Sequence, residues 1–71
     1  MDVRKTFGHN VRRLREKTGM AQEKFGLEHN IDRTYLSGIE RGVRNPTIIV
    51  VKKIADALEV PVAVLFEDVP D

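Results

Sequence analysis

Residues 22–41, QEKFGLEHNIDRTYLSGIER, read as a helix, a tight turn and a second helix. Phe25 and Gly26 fall near the end of the first helix, and Asn30 falls where the chain reverses. Asn tolerates the left-handed backbone conformation better than any residue except Gly. Asp32 is a good N-cap for a helix over Arg33 to Arg41, and Gly42 stops that helix. Leu36 and Ile39, three apart, share an inward face. Arg33, Thr34, Ser37 and Gly38 are left on the other faces. Guanidinium, hydroxyl and small side chains suit base edges and phosphates, and two helices so joined can lay the second in the major groove of DNA. Arg33 and Thr34, in the first turn, are candidates for base contact, as is Ser37. Gly38 is small enough for close approach to a partner.

The periodicity outside this stretch predicts three more helices. The first runs from about Val3 to Lys17, with Asp2 as N-cap, an apolar stripe of Phe7, Val11 and Leu14, and Gly19 at its end. The second runs from about Ala21 to His29. After the loop VRNPT, Thr47 caps a fourth from about Ile48 to Leu58, with Ile48, Val51, Ile54, Ala55 and Leu58 on one face. Pro61 opens a short fifth, about Pro61 to Phe66, and the terminal EDVPD is expected to fray. The fold class is therefore all-α, a compact five-helix domain over residues 1–71 with no linker, repeat or low-complexity segment.

Composition narrows the function. A chain of 71 residues buries only about 60% of its unfolded surface and leaves no room for a second domain. Cysteine is absent, which removes disulfides and thiolate metal sites and fits a reducing cytoplasm. The N-terminal MDVRKTFGHNVRR has no apolar core, so no signal peptide is expected, and the apolar run Ile48 to Val51 is far too short to span a bilayer. The net charge of +1 hides an asymmetry, because residues 1–44 carry +4 and residues 45–71 carry −3. A basic first part suits phosphate contact. His9 and His29 are far apart and lack partners for a metal site or catalytic pair. Neither a phosphate loop nor a nucleophile–base pattern is visible, so no enzyme activity and no cofactor are expected.

With these residues in view, the chain resembles the Cro and phage-repressor (Xre) class of helix-turn-helix regulators. The resemblance spans roughly Phe7 to Phe66, through FGHNVRRLRE, GMAQEKF, YLSGIERGVRNPT, KKIADALEVP and VLF. The run YLSGIERGVRNP is the most specific. Five departures bear on stability. Ala21 stands where Ser or Thr caps the second helix, Gly26 where Ala is usual, Asn30 and Glu59 where Gly is usual, and Lys52 where an apolar residue is common. The resemblance implies a DNA-binding transcriptional regulator. It places a phosphate-binding side chain at Gln22 and backbone contacts at Arg44 and Asn45. It also pairs Arg15, late in the first helix, with Glu40, late in the third, as a structural ion pair. Tyr35 either donates its hydroxyl to a phosphate or packs over the turn.

One reading helix covers only a few base pairs, so a homodimer on a pseudo-palindromic stretch of double-stranded DNA is expected. Ile49 and Val50 are apolar where the class is more often polar. With Val62, Val64, Leu65 and Phe66 they make a candidate dimer seam; the other reading is that Val64 or Leu65 merely closes the monomer core. The alternative is a protein-interaction module, such as an antitoxin of the same fold, that uses this apolar face for another partner.

Overall fold

Residues 2–68 are described by the computed structural model, in the order α1 (Val3–Lys17), α2 (Gln22–His29), α3 (Arg33–Glu40), α4 (Ile48–Leu58) and a 3-10 turn over Val62–Phe66. No strand occurs among the described residues. The expected fifth helix is this 3-10 turn, with Pro61 as its N-cap. Five residues cannot close more than an i→i+3 ladder with useful length, and that ladder is the tighter helix. Of the terminal EDVPD, Val69, Pro70 and Asp71 lie outside the described residues.

The helix starts follow from their caps. Asp2 accepts from the Arg4 backbone N–H at 3.0 Å, Asp32 from Tyr35 at 3.0 Å, and Thr47 from Val50 at 3.2 Å. Each satisfies a first-turn donor that has no partner within its helix. α2 starts one residue later than expected, because Ala21 is itself the N-cap and has no side chain to cap with. α3 closes at Glu40 with Arg41 as C-cap, followed by Gly42 at φ +78°.

α1 is the central element and packs chiefly on α3 and the 3-10 turn. It approaches α3 closely because Gly8 has no Cβ; one built there would run into the Ile39 carbonyl. Val11, Phe25, Leu36, Ile54 and Leu65 are fully buried at the centre. Each such side chain stabilises the fold by about 1.5–3 kcal/mol. Leu14 is only half-buried and packs on the edge of this core.

Two expectations fail here. Ile48 is 86% exposed, although it shares the period of Val51 and Ile54. It sits in the first turn of α4, and among the described residues no other element covers it. Leu65, expected at a dimer seam, is 0% exposed within the protomer, so its side chain has no surface to offer a partner. It is held there by Asn10, a buried side chain of α1 whose amide donates to the Leu65 carbonyl at 3.0 Å and to the Glu67 carbonyl at 2.9 Å. Phe66 stacks on Phe7 with ring centroids 5.2 Å apart.

Candidate nucleic-acid interface

The turn between α2 and α3 is built by three residues. Asn30 adopts the left-handed conformation, φ 55° and ψ 49°. The Ile31 N–H then donates to the Gly26 carbonyl at 2.8 Å. Gly26 has no room for a side chain, since a Cβ there would meet the Ile31 carbonyl. Ile31 plugs the core from the turn, and Asp32 starts α3. A further tether arrives from α4, where Lys53 Nζ donates to the Asn30 carbonyl at 2.8 Å. Sequence gave no signal for it: Lys53 is an exposed lysine 23 residues away.

α3 buries Leu36 and Ile39 and turns Arg33, Thr34 and Arg41 to solvent, with Ser37 half-buried between them. Arg33, Ser37 and Arg41 line one side of an open cleft, and Arg12 and Gln22 line the other. Among the described residues, no carboxylate lies within ion-pair distance of Arg33 or Arg41. Arg12 is loosely paired with Glu16 at 3.4 Å on the exposed face of α1, where such a contact is worth well under about 1 kcal/mol.

Below the cleft floor lies the Arg15–Glu40 pair. Arg15 Nε donates to Glu40 Oε2 at 2.7 Å and Nη2 to Oε1 at 2.9 Å. The third nitrogen, Nη1, donates to the Met20 carbonyl at 2.8 Å. The two side chains are 8% and 2% exposed. The hydrogen bonds to Glu40 raise the guanidinium pKa above its ordinary value against the opposing effect of burial, so Arg15 stays charged. The arrangement is bidentate and fixes both distance and angle between α1 and α3. Gln22 joins it, with Nε2 donating to Glu40 Oε1 at 3.0 Å. One of the two donors on this amide thus faces inward, a link from α2 that the reading of Gln22 as a phosphate-binding side chain did not include.

Gly38 differs from expectation too. It is buried beneath the Arg44 side chain, whose Cγ lies 2.6 Å from where a Cβ would stand. Its small size therefore serves an intramolecular contact, and the Arg44 stem fills the space. The Arg44 guanidinium sits 5.7 Å from the centroid of the Tyr35 ring, within the range of a cation–π contact. Tyr35 is half-buried by this packing, and Asn45 is exposed beside it in the loop. Arg44 is thus pre-positioned by Gly38 and Tyr35 rather than loose.

The remaining candidates lie on α1, α2, α4 and the 3-10 turn. Ile49 is 77% exposed, while Val50, Val62 and Val64 are half-buried. His29 packs its ring 4.6 Å from that of Phe25, and His9 is exposed on α1. No metal-ligand cluster occurs among the described residues, and no helix among them is long and apolar enough to cross a membrane.

A rigid turn, a helix presenting unpaired guanidiniums and hydroxyls, and a tethered basic loop beside it define a helix-turn-helix module. The chain belongs to the helix-turn-helix family, whose model matches residues 11–65, and it is a DNA-binding regulator of transcription. It is 39% identical over 69 residues to the control protein C.MunI of Mycoplasma sp, covering 96% of this chain and 93% of that one. Its fold is similar to the restriction-modification controller protein C.AhdI of Aeromonas hydrophila. That match has a TM-score of 0.82 and 36% identity, covering 89% of this chain and 96% of the other. It is also similar to the controller protein C.Esp1396I, solved as a tetramer in complex with its natural 35 base-pair operator. There the TM-score is 0.80 at 38% identity, with 93% and 87% covered.

Proposed function

We propose that this chain is a single-domain, sequence-specific regulator that works as a homodimer on a pseudo-palindromic operator, in the manner of restriction-modification controller proteins. The observation that carries the reading is the exposed face of α3, where Arg33 and Thr34 stand in the first turn and, among the described residues, no carboxylate lies within ion-pair distance of the guanidinium. In this fold class the first turn of the second helix enters the major groove. Arg33 can there grip guanine O6 and N7, with Thr34 and Ser37 beside it. Gln22, Tyr35, Arg44 and Asn45 hold the DNA backbone and carry no base identity. The protein acts in the cytoplasm by occupying DNA, without catalysis, and needs no cofactor.

Selection of bound sequences from a randomised duplex pool supplies the operator. Arg33→Ala is then expected to weaken binding by roughly 1–3 kcal/mol and to relax preference at one position of each half-site. Arg44→Ala is expected to weaken all sequences alike. If Arg33→Ala leaves the preference intact while Arg44→Ala changes it, α3 is not the reading element.

The exposed Ile48 and Ile49 favour one second reading, a protein-interaction module. Salt-dependent binding to random-sequence duplex supports the regulator. A folded dimer that binds no duplex at any salt concentration supports the module.

A further inference from the structure

The hydrogen bond from Lys53 Nζ to the Asn30 carbonyl, 2.8 Å long, joins two parts of the molecule with separate tasks in the reading above. Asn30 belongs to the turn. Two residues beyond it Asp32 caps α3, and Arg33 follows. Lys53 belongs to α4, three residues from Val50 and four from Ile49. It therefore stands one helical turn on from both candidate seam residues, as their neighbour on that face.

The other bonds of the turn stay on its own side. The Ile31 N–H donates to the Gly26 carbonyl of α2, and the cap from Asp32 lies within α3. Both move with α2 and α3 as a unit and leave their angle to α4 unset. α4 in turn packs on α1 and the 3-10 turn. Asn30 is the C-cap of α2, and among the described residues no backbone N–H donates to its carbonyl. Lys53 supplies that donor, and a cation at the C-terminal end of α2 also suits the helix dipole. No carboxylate among the described residues lies within ion-pair distance of Lys53 to draw it elsewhere.

The lever from seam to groove is long. Each reading helix of the proposed dimer stands about 17 Å from the two-fold axis, half of one DNA turn. A rotation of roughly 5° between α3 and α4 moves the reading helix by about 1.5 Å, and the two-fold doubles this to about 3 Å. One base-pair step is about 3.4 Å. A small slack between α4 and the turn thus spans nearly a whole step of half-site spacing.

We propose that Lys53 is a positioning residue: its bond to the Asn30 carbonyl fixes the reading helix against the seam helix and so sets the half-site spacing that the dimer accepts. The inference rests on the paired half-site reading with a seam on α4. Its test is binding of the full chain to the selected duplex and to duplexes with one base pair inserted or deleted between the half-sites, at several salt concentrations. The variants are Lys53→Met, which keeps the stem and loses the donor, and Lys53→Arg, which keeps a donor. Lys53→Met is expected to narrow the preference for the selected spacing by roughly two- to tenfold, the range that one hydrogen bond supplies. Base preference within each half-site and the salt slope are expected to stay as in the parent, and Lys53→Arg to restore the spacing preference. An unchanged spacing preference in Lys53→Met overturns the proposal, whatever happens to Tm, and leaves the bond a stabilising contact. A flattened salt slope places the ammonium on a phosphate, and a shift toward monomer in sedimentation places it in the seam; either result overturns the proposal too. If the parent protein itself accepts all three spacings equally, the paired half-site reading fails and takes this inference with it.

Discussion

The side chain on which the scaffold depends most is Arg15. It spends all three guanidinium nitrogens inside the protein, two on Glu40 and one on the Met20 carbonyl. Exposed ion pairs are worth little, but removing one partner of a buried pair strands a charge and costs roughly 3–5 kcal/mol. Arg15→Ala and Glu40→Ala are each expected to lower Tm clearly, and a double-mutant cycle in thermal melts should show coupling between them. Additive losses would mean that the bridge contributes nothing of its own. Because Glu40 is also the acceptor for Gln22, Glu40→Ala frees the Gln22 amide and Arg15→Ala does not. The pairing was legible from resemblance, since both residues stand in motif positions. The Gln22 link was not, because an amide at a helix start reads equally well as a solvent-facing donor.

At the scale of the elements, the caps made the helices readable. Asp2, Asp32 and Thr47 each mark a start, and Asn30 and Gly42 mark reversals. Sequence reasoning failed where packing decides: at Ile48, whose period points inward but whose turn no other described element covers, and at Gly38, whose vacancy is filled from a loop six residues on. The 3-10 character of the last turn was equally hidden, since five residues carry no period to distinguish the two helices. Glu59 offers a sharper test. It closes α4 in the left-handed conformation at φ 59°, where a side chain other than Gly or Asn costs about 1–2 kcal/mol. Glu59→Gly is therefore expected to gain roughly 1 kcal/mol, or about 5 °C in Tm for a domain this small. A lower Tm would show that the Glu59 side chain makes a compensating contact. Asn30, also left-handed, is expected to gain less from the same change because Asn already tolerates that region. Acid works at the other end of the chain. The hydrogen bonds from Arg4 lower the Asp2 pKa, so the cap on α1 is present above the usual carboxylate range. It is lost as pH falls through that lower value.

The whole molecule, 30 × 22 × 20 Å across, is small enough that one copy presents one reading helix. The proposed dimer places two such helices about one DNA turn, or ~34 Å, apart. With Leu65 buried in the protomer, the seam is left to Ile49, Val50, Val62 and Val64. Val50→Glu or Val64→Glu is expected to shift sedimentation toward monomer at micromolar concentration. If both variants sediment as dimers, the two copies meet through another face. The grip of Asn10 on the Leu65 and Glu67 carbonyls has a consequence for how the protein is made. Leu65 fills the centre of a core whose other walls all precede it in the chain. A nascent polypeptide therefore carries every reading side chain well before it can close around them. Cutting the chain after Val64 is expected to leave helical signal but abolish cooperative melting, because the truncation removes a fully buried Leu and both acceptors for Asn10. Synthesis, at roughly 5–20 residues per second, thus delivers the residues of the proposed reading helix before the Leu65 side chain that completes the core.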